Sequence, residues 1–138
     1  MKVFNEGKYL KILKNYGDAR VDLIKLTETK ILETIRKELK SYKANIGDIR
    51  KFCKHEMSRN CVYFDYKDNL KVFLFIKLID FSEHYVYIVF QSEDGQTFEP
   101  KPETGEFEII ELDIGVEKFI DKCYKNIKPE IVKLRHKK

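Results

Sequence analysis

The chain lacks most of the short signatures that announce a particular chemistry. It has no glycine-rich phosphate loop, no G-x-S-x-G elbow, no H-E-x-x-H pair and no P-loop lysine, each of which supplies a geometry that its reaction needs. Long apolar runs are missing too. The stretch Val72–Ile76 falls far short of the ~20 residues of a membrane-spanning helix. The opening Met1–Lys8 is too polar for a secretory signal. Three cysteines, an odd number at wide spacing, make no disulfide framework. These absences set the expectation of a cytoplasmic protein in a reducing compartment, with no membrane contact.

Metal-ligand spacing is also weak. Cys53-x-His55 with Cys61 and Cys123 would supply a Cys₃His set, yet there is no C-x₂-C knuckle, and Cys53 and Cys123 fall on apolar helical stripes. Buried reduced thiols are the simpler reading. The acidic run Glu99, Glu103, Glu106, Glu108, Glu111 and Asp113 lacks calcium-loop spacing and reads as a solvated hairpin. No metal or cofactor is expected.

What is present points to one α+β domain over residues 1–138. The sequence is 43% hydrophobic and 36% charged, a balance suited to a globular chain that buries about two-thirds of its unfolded surface. Helical spacing marks a short helix over Val3–Tyr16 and a long one over Ala19–Lys43, carried by Val21, Ile24, Ile31, Leu32, Ile35, Leu39 and Tyr42. Asn45-Ile46-Gly47-Asp48 reads as a helix stop and new N-cap, opening a third helix to Met57. Four strands follow as an antiparallel meander: Cys61–Tyr66, Leu70–Asp80, His84–Ser92 and Glu106–Leu112. Lys67-Asp68-Asn69 makes the first hairpin turn, and residues 99–105 an exposed loop. A last helix begins at Asp113 or Gly115, with Val116, Phe119, Ile120, Cys123 and Ile127 on the face that packs on the sheet. Pro129 is expected to kink or restart it, and residues 133–138 form a basic tail.

The strands are apolar on both faces. Leu70, Val72, Leu74, Ile76 and Leu78 share one face of the second expected strand, Leu70–Asp80, while Lys71, Phe73, Phe75, Lys77 and Ile79 share the other. With Tyr63, Tyr85 and Tyr87 from the neighbouring strands, this second face becomes an aromatic surface edged with lysine. Left open, it is a platform of the kind on which single-stranded nucleic acids stack their bases. Four expected helices against one sheet favour its being covered by the chain itself.

Charge is segregated along the chain. Residues 1–57 carry 14 Lys/Arg against 8 Asp/Glu, residues 58–113 carry 5 against 12, and residues 114–138 carry 8 against 3. A fold that keeps these blocks apart has a basic helical side and an acidic strand side, an oriented surface for a partner.

The function expected from these features is that of a small intracellular, non-enzymatic interaction or regulatory protein. Its partner would be another protein or a second copy of itself. The alternative is single-stranded RNA or DNA binding by Tyr63, Lys71, Phe73, Phe75, Lys77, Tyr85 and Tyr87, although the two-glycine RNP1 motif of RNA-recognition sheets is absent. A third reading is a metal-independent ribonuclease, with His84 and a Lys or Arg from the basic helices as its acid, base and phosphate contacts. No catalytic residue is assigned.

Overall fold

The computed structural model describes residues 21–51, 59–78, 84–100 and 106–136. The expected first helix over Val3–Tyr16 and most of the expected third helix lie outside them. Helix α1 spans Val21–Glu38. Its Ile31, Leu32 and Ile35, with Leu39 just beyond, recur on one stripe and are all buried. Arg36 and Lys37 occupy its last turn, where cations complement the negative end of the helix dipole.

The sheet has six strands, not four. They are β1 (Asn45–Asp48), β2 (Asn60–Tyr66), β3 (Leu70–Leu78), β4 (His84–Gln91), β5 (Thr97–Phe98) and β6 (Glu106–Glu108). All pairings are antiparallel, in the order β1-β2-β3-β4-β5, with β6 also on β4. Strand β1 corrects the expectation of a helix stop and cap. Asn45-Ile46-Gly47-Asp48 pairs with Cys61–Tyr63 and Asn60, and Gly47 sits under the Tyr63 ring, where an added Cβ would lie 3.1 Å from Cε1. The long helix accordingly ends at Glu38 rather than Lys43, and Ile49–Lys51 is a single 3-10 turn.

Strands β5 and β6 share one edge of β4. Phe98 pairs with Phe90 and Glu106 with Tyr87, so β4 advances by Ile88 and Val89 while its neighbour advances through residues 99–105. The exposed loop expected over residues 99–105 falls in sequence between these two pieces of one edge strand. Of it, Glu99 is exposed, Pro100 is buried, and 101–105 lie outside the described residues. The expected strand Glu106–Leu112 also stops early, because Ile109–Ile114 is 3-10 helix. Its two buried residues, Ile109 and Leu112, are three apart, which matches that helix and not a strand.

The β2–β3 hairpin turns where the sequence places it. Asp68 (φ 58°, ψ 31°) and Asn69 (φ 58°) both adopt left-handed backbone, and the Leu70 N–H donates to the Lys67 carbonyl. Asp and Asn tolerate this conformation better than other non-glycine residues. At the opposite end of the chain, Gly115 (φ 112°) leads into helix α2, Val116–His136. Pro129 does not restart α2, which runs through it. Pro129 is exposed, so the carbonyl that its missing N–H leaves unbonded faces water.

Both helices lie on one face of the sheet. Ile31, Ile35 and Leu39 of the α1 side and Val116, Phe119, Ile120, Cys123, Tyr124, Ile127 and Ile131 of α2 form one core with Val62, Phe64, Val72, Leu74, Ile76, Val86, Ile88 and Phe90. Phe119 meets Phe107 of β6 edge-on at 5.2 Å, and Tyr124 lies 5.3 Å from Tyr66. A polar seam closes this layer. The Ser41 N–H and hydroxyl both donate to the Glu117 carboxylate at 2.9 Å, joining the end of α1 to the start of α2. The Tyr66 hydroxyl donates to Asp121 and the Tyr124 hydroxyl to Asp68, joining α2 to the hairpin. Burial, reinforced by Asp121, pushes the Tyr66 hydroxyl well above its ordinary pKa.

Glu117→Ala removes both bonds to Ser41, and we expect it to lower unfolding stability by about 1–2 kcal/mol. Urea denaturation measures this, and an unchanged midpoint would show that the seam contributes nothing.

Candidate functional site

The second face of the sheet forms a small core of its own. Ile49, Cys61, Phe73 and Phe75 are buried there, with Tyr63 and Tyr87 packed against them. Alternation along β2, β3 and β4 puts these side chains opposite the helical layer. Phe75 stacks on its cross-strand partner Tyr87 with ring centroids 4.9 Å apart at 16°. Phe73 lies 6.3 Å from its partner Tyr63. The Arg59 guanidinium sits 5.3 Å above the Phe75 ring, and the Lys77 ammonium 5.8 Å from the Tyr87 ring, both within cation–π range.

The seven residues singled out from the sequence therefore share a face, as expected, but they do not form an open platform. Phe73 is 2% exposed and Phe75 6% exposed in the single chain. Base stacking needs an accessible ring face, and the two central rings offer none. Tyr63, Tyr85 and Tyr87 remain half-buried around them, as do Lys71 and Lys77. Lys71 stands apart from the rest, 3.7 Å from Asp65, beside a polar cleft of ≈ 530 Å³ that Asp65, Asn69, Gln91, Ser92 and Glu93 also line. Three partners of this face were not identified from the sequence: Ile49, Arg59 and Glu106. The Tyr87 hydroxyl donates to Glu106, and burial, with that bond behind it, pushes the phenol up to about 12. Cross-strand register is the missing signal, because Glu106 reaches Tyr87 only through the β4–β6 pairing.

Nothing in the described residues assembles reactive groups. Burial pushes the Cys61 and Cys123 thiols up to about 12, where the nucleophilic thiolate is scarce at neutral pH. They occupy the two cores on opposite faces of the sheet, so they cannot share a metal ion. Among the described residues no three His, Cys, Asp or Glu side chains converge to hold one. His84 opens β4 opposite Leu78, and its side chain lies outside the described residues.

The outer surface of the helical layer has a different character. Lys30, Arg36 and Lys37 of α1, and Lys40 and Lys43 of the following turn, are exposed. Lys118, Lys122, Lys125, Lys128 and Lys133 of α2 are exposed too. Among the described residues of these helices only one carboxylate, Glu130, is equally exposed; Glu28, Glu33, Glu38, Glu117 and Asp121 are half-buried. Strands, turns and loops carry mostly the opposite sign, with Asp65, Glu93, Asp94, Glu99, Glu108 and Asp113 exposed against Arg50 and Lys67. The charge blocks of the sequence are thus kept apart in space, with the basic blocks on one layer.

Compared with known proteins, the chain matches no family model, no curated protein and no solved structure. Among the described residues no helix is long and apolar enough to cross a membrane.

Two outcomes follow from this second core. Phe73→Ala should destabilise the fold by about 3–5 kcal/mol, the range for emptying a buried aromatic site; a loss below ~1 kcal/mol in urea unfolding would mean that the face is open. The Tyr87 phenol is raised above its unfolded value of 10, so its contribution is complete below pH 10 and is lost as pH rises through about 12. The thermal midpoint should fall over that window, and Tyr87→Phe should make the fall shallower; identical profiles would contradict the assignment.

Proposed function

We propose that the chain is a binding module without chemistry of its own, which docks an anionic macromolecular partner on the outer surface of its helical layer. The observation that carries this reading is the separation of charge between the two sides of the fold. Among the described residues, ten exposed cations face outward from α1, α2 and the turn after α1, against the single exposed carboxylate of Glu130. The acidic side chains gather on the strands and loops, so the molecule has a large electrostatic moment on a net charge of only +4. Such a moment steers and orients an encounter, because an anionic partner is drawn to one side and repelled from the other.

The sealed aromatic face supports the same reading from the other direction. With Phe73 and Phe75 committed to packing, the sheet has no apolar anchor left at the centre of its second face. The most extensive feature available to a partner among the described residues is then the basic layer. An acidic protein surface, the acidic side of a second copy and a polyphosphate all have the complementary chemistry.

Two variants of equal net charge test the reading. Lys122→Glu/Lys125→Glu alters the helical layer, and Lys71→Glu/Lys77→Glu alters the sheet side by the same four charge units. On an immobilised polyanion, the first variant should elute at markedly lower salt than the second. Elution of both at the same salt would show that only net charge matters, and that the fold presents no oriented surface.

A further inference from the structure

The basic layer is unusual in what accompanies its charge. Among the described residues its exposed cations are nearly all lysines, with Arg36 the one arginine of the ten. Lysine acts as a hydrated point charge, whereas arginine's planar fork is what recognises a carboxylate or a base edge in two-point fashion. Along α2 the residues Lys118, Lys122, Lys125 and Lys133 fall on one outward line, opposite the buried stripe of Val116, Phe119, Ile120, Cys123 and Ile127. At 1.5 Å per residue that line is ~22 Å long. None of the four is within ion-pair distance of a carboxylate among the described residues. They are free to meet a partner without breaking an internal bridge.

Anchors of other kinds are scarce on this surface. Stable protein interfaces concentrate their energy in buried aromatic or arginine residues, and the described aromatic side chains of the layer, Tyr42, Phe119 and Tyr124, pack on the core. The same absence removes the stacking that single-strand binders depend on. Helices that lie in a membrane interface need an apolar face turned to the lipid, whereas α2 has spent its apolar face on the core. Among the described side chains of the two helices, Val132, 41% exposed, is the one large apolar side chain turned to solvent. A partner recognised by charge alone must carry a dense and regular array of it. Duplex nucleic acid does so, with one phosphate charge per about 1.7 Å of axis.

We propose that the lysine line of α2, with the cations of the α1 side beside it, binds the phosphate backbone of duplex nucleic acid without reading its bases. This rests on the helical-layer reading above and names its partner class. The exposed acidic side chains of the strands and loops orient the complex, since they repel phosphates that the described helical surface attracts.

Fluorescence anisotropy tests it with labelled 20-base-pair duplexes, two of unrelated DNA sequence and one of RNA. A single strand of the same length and poly-glutamate serve as the other arms. Binding to a duplex should be independent of sequence and weaken at least roughly a hundredfold between 50 and 200 mM salt, the drop that four phosphates met by the α2 lysines already require. Lys122→Ala/Lys125→Ala should lower the salt slope by about two units, and Lys71→Ala/Lys77→Ala should leave it unchanged. Preference between the DNA and RNA duplexes identifies which of the two supplies the phosphates. Tighter binding to the single strand or to poly-glutamate, or an unaltered slope in Lys122→Ala/Lys125→Ala, would overturn the proposal. If the two charge-reversed variants still separate on the immobilised polyanion while the duplexes fail to bind, the helical-layer reading stands and the duplex is the wrong partner.

Discussion

Strand β3 is the constraint on which the rest of this structure depends. Leu70, Val72, Leu74 and Ile76 fill one face, and Phe73 and Phe75 the other, all of them 6% exposed or less. A central strand that is apolar on both sides cannot leave either side to water without exposing well over a hundred square ångströms of aromatic surface. Both faces are therefore packed, the first by α1 and α2 and the second by a smaller cluster that includes Ile49 and Cys61. Antiparallel sheets commonly keep one solvated face. This one does not at its centre, and the surfaces that remain for a partner are polar.

That outcome shifts function from rings to charges. The helices spend their apolar stripes on the core, so the side turned to solvent is built from lysines. The polar seam holds the two basic segments in one layer, through Ser41 on Glu117 and through Tyr66 and Tyr124 on Asp121 and Asp68. Lys67 completes the seam, 3.8 Å from Asp121. Glu117 and Asp121 are thereby used internally, and the described exposed surface of the helical layer keeps a nearly uniform sign. Packing and electrostatics are two consequences of one arrangement.

Much of this arrangement is legible in the sequence where a local rule and a tertiary requirement agree. The alternation in β2, β3 and β4 identifies both faces. The Asp68-Asn69 pair identifies the hairpin turn, because few other residues accept two successive left-handed conformations. The charge blocks foreshadow the basic layer. Where pairing decides, the sequence is silent or misleading. Gly47 reads as a helix stop, yet it sits in β1 because β2 pairs with it, and it is glycine where a side chain would press on the Tyr63 ring. Thr97–Phe98 is too short to show a period, and it is a strand only because β4 offers an edge. Pro129 looks like a break, but its exposed position lets α2 continue. Exposure of the aromatic face was the hardest point to read, since alternation tells which residues share a face and not what lies over them.

Mapping backbone amide shifts by ¹H–¹⁵N NMR during titration with a duplex tests the central claim most directly. The account predicts perturbations concentrated on the exposed residues of 30–43 and 118–133, with the amides of Tyr63, Phe73, Phe75 and Tyr87 unmoved. Perturbations centred on those four aromatic residues, with the helical lysines silent, would contradict it.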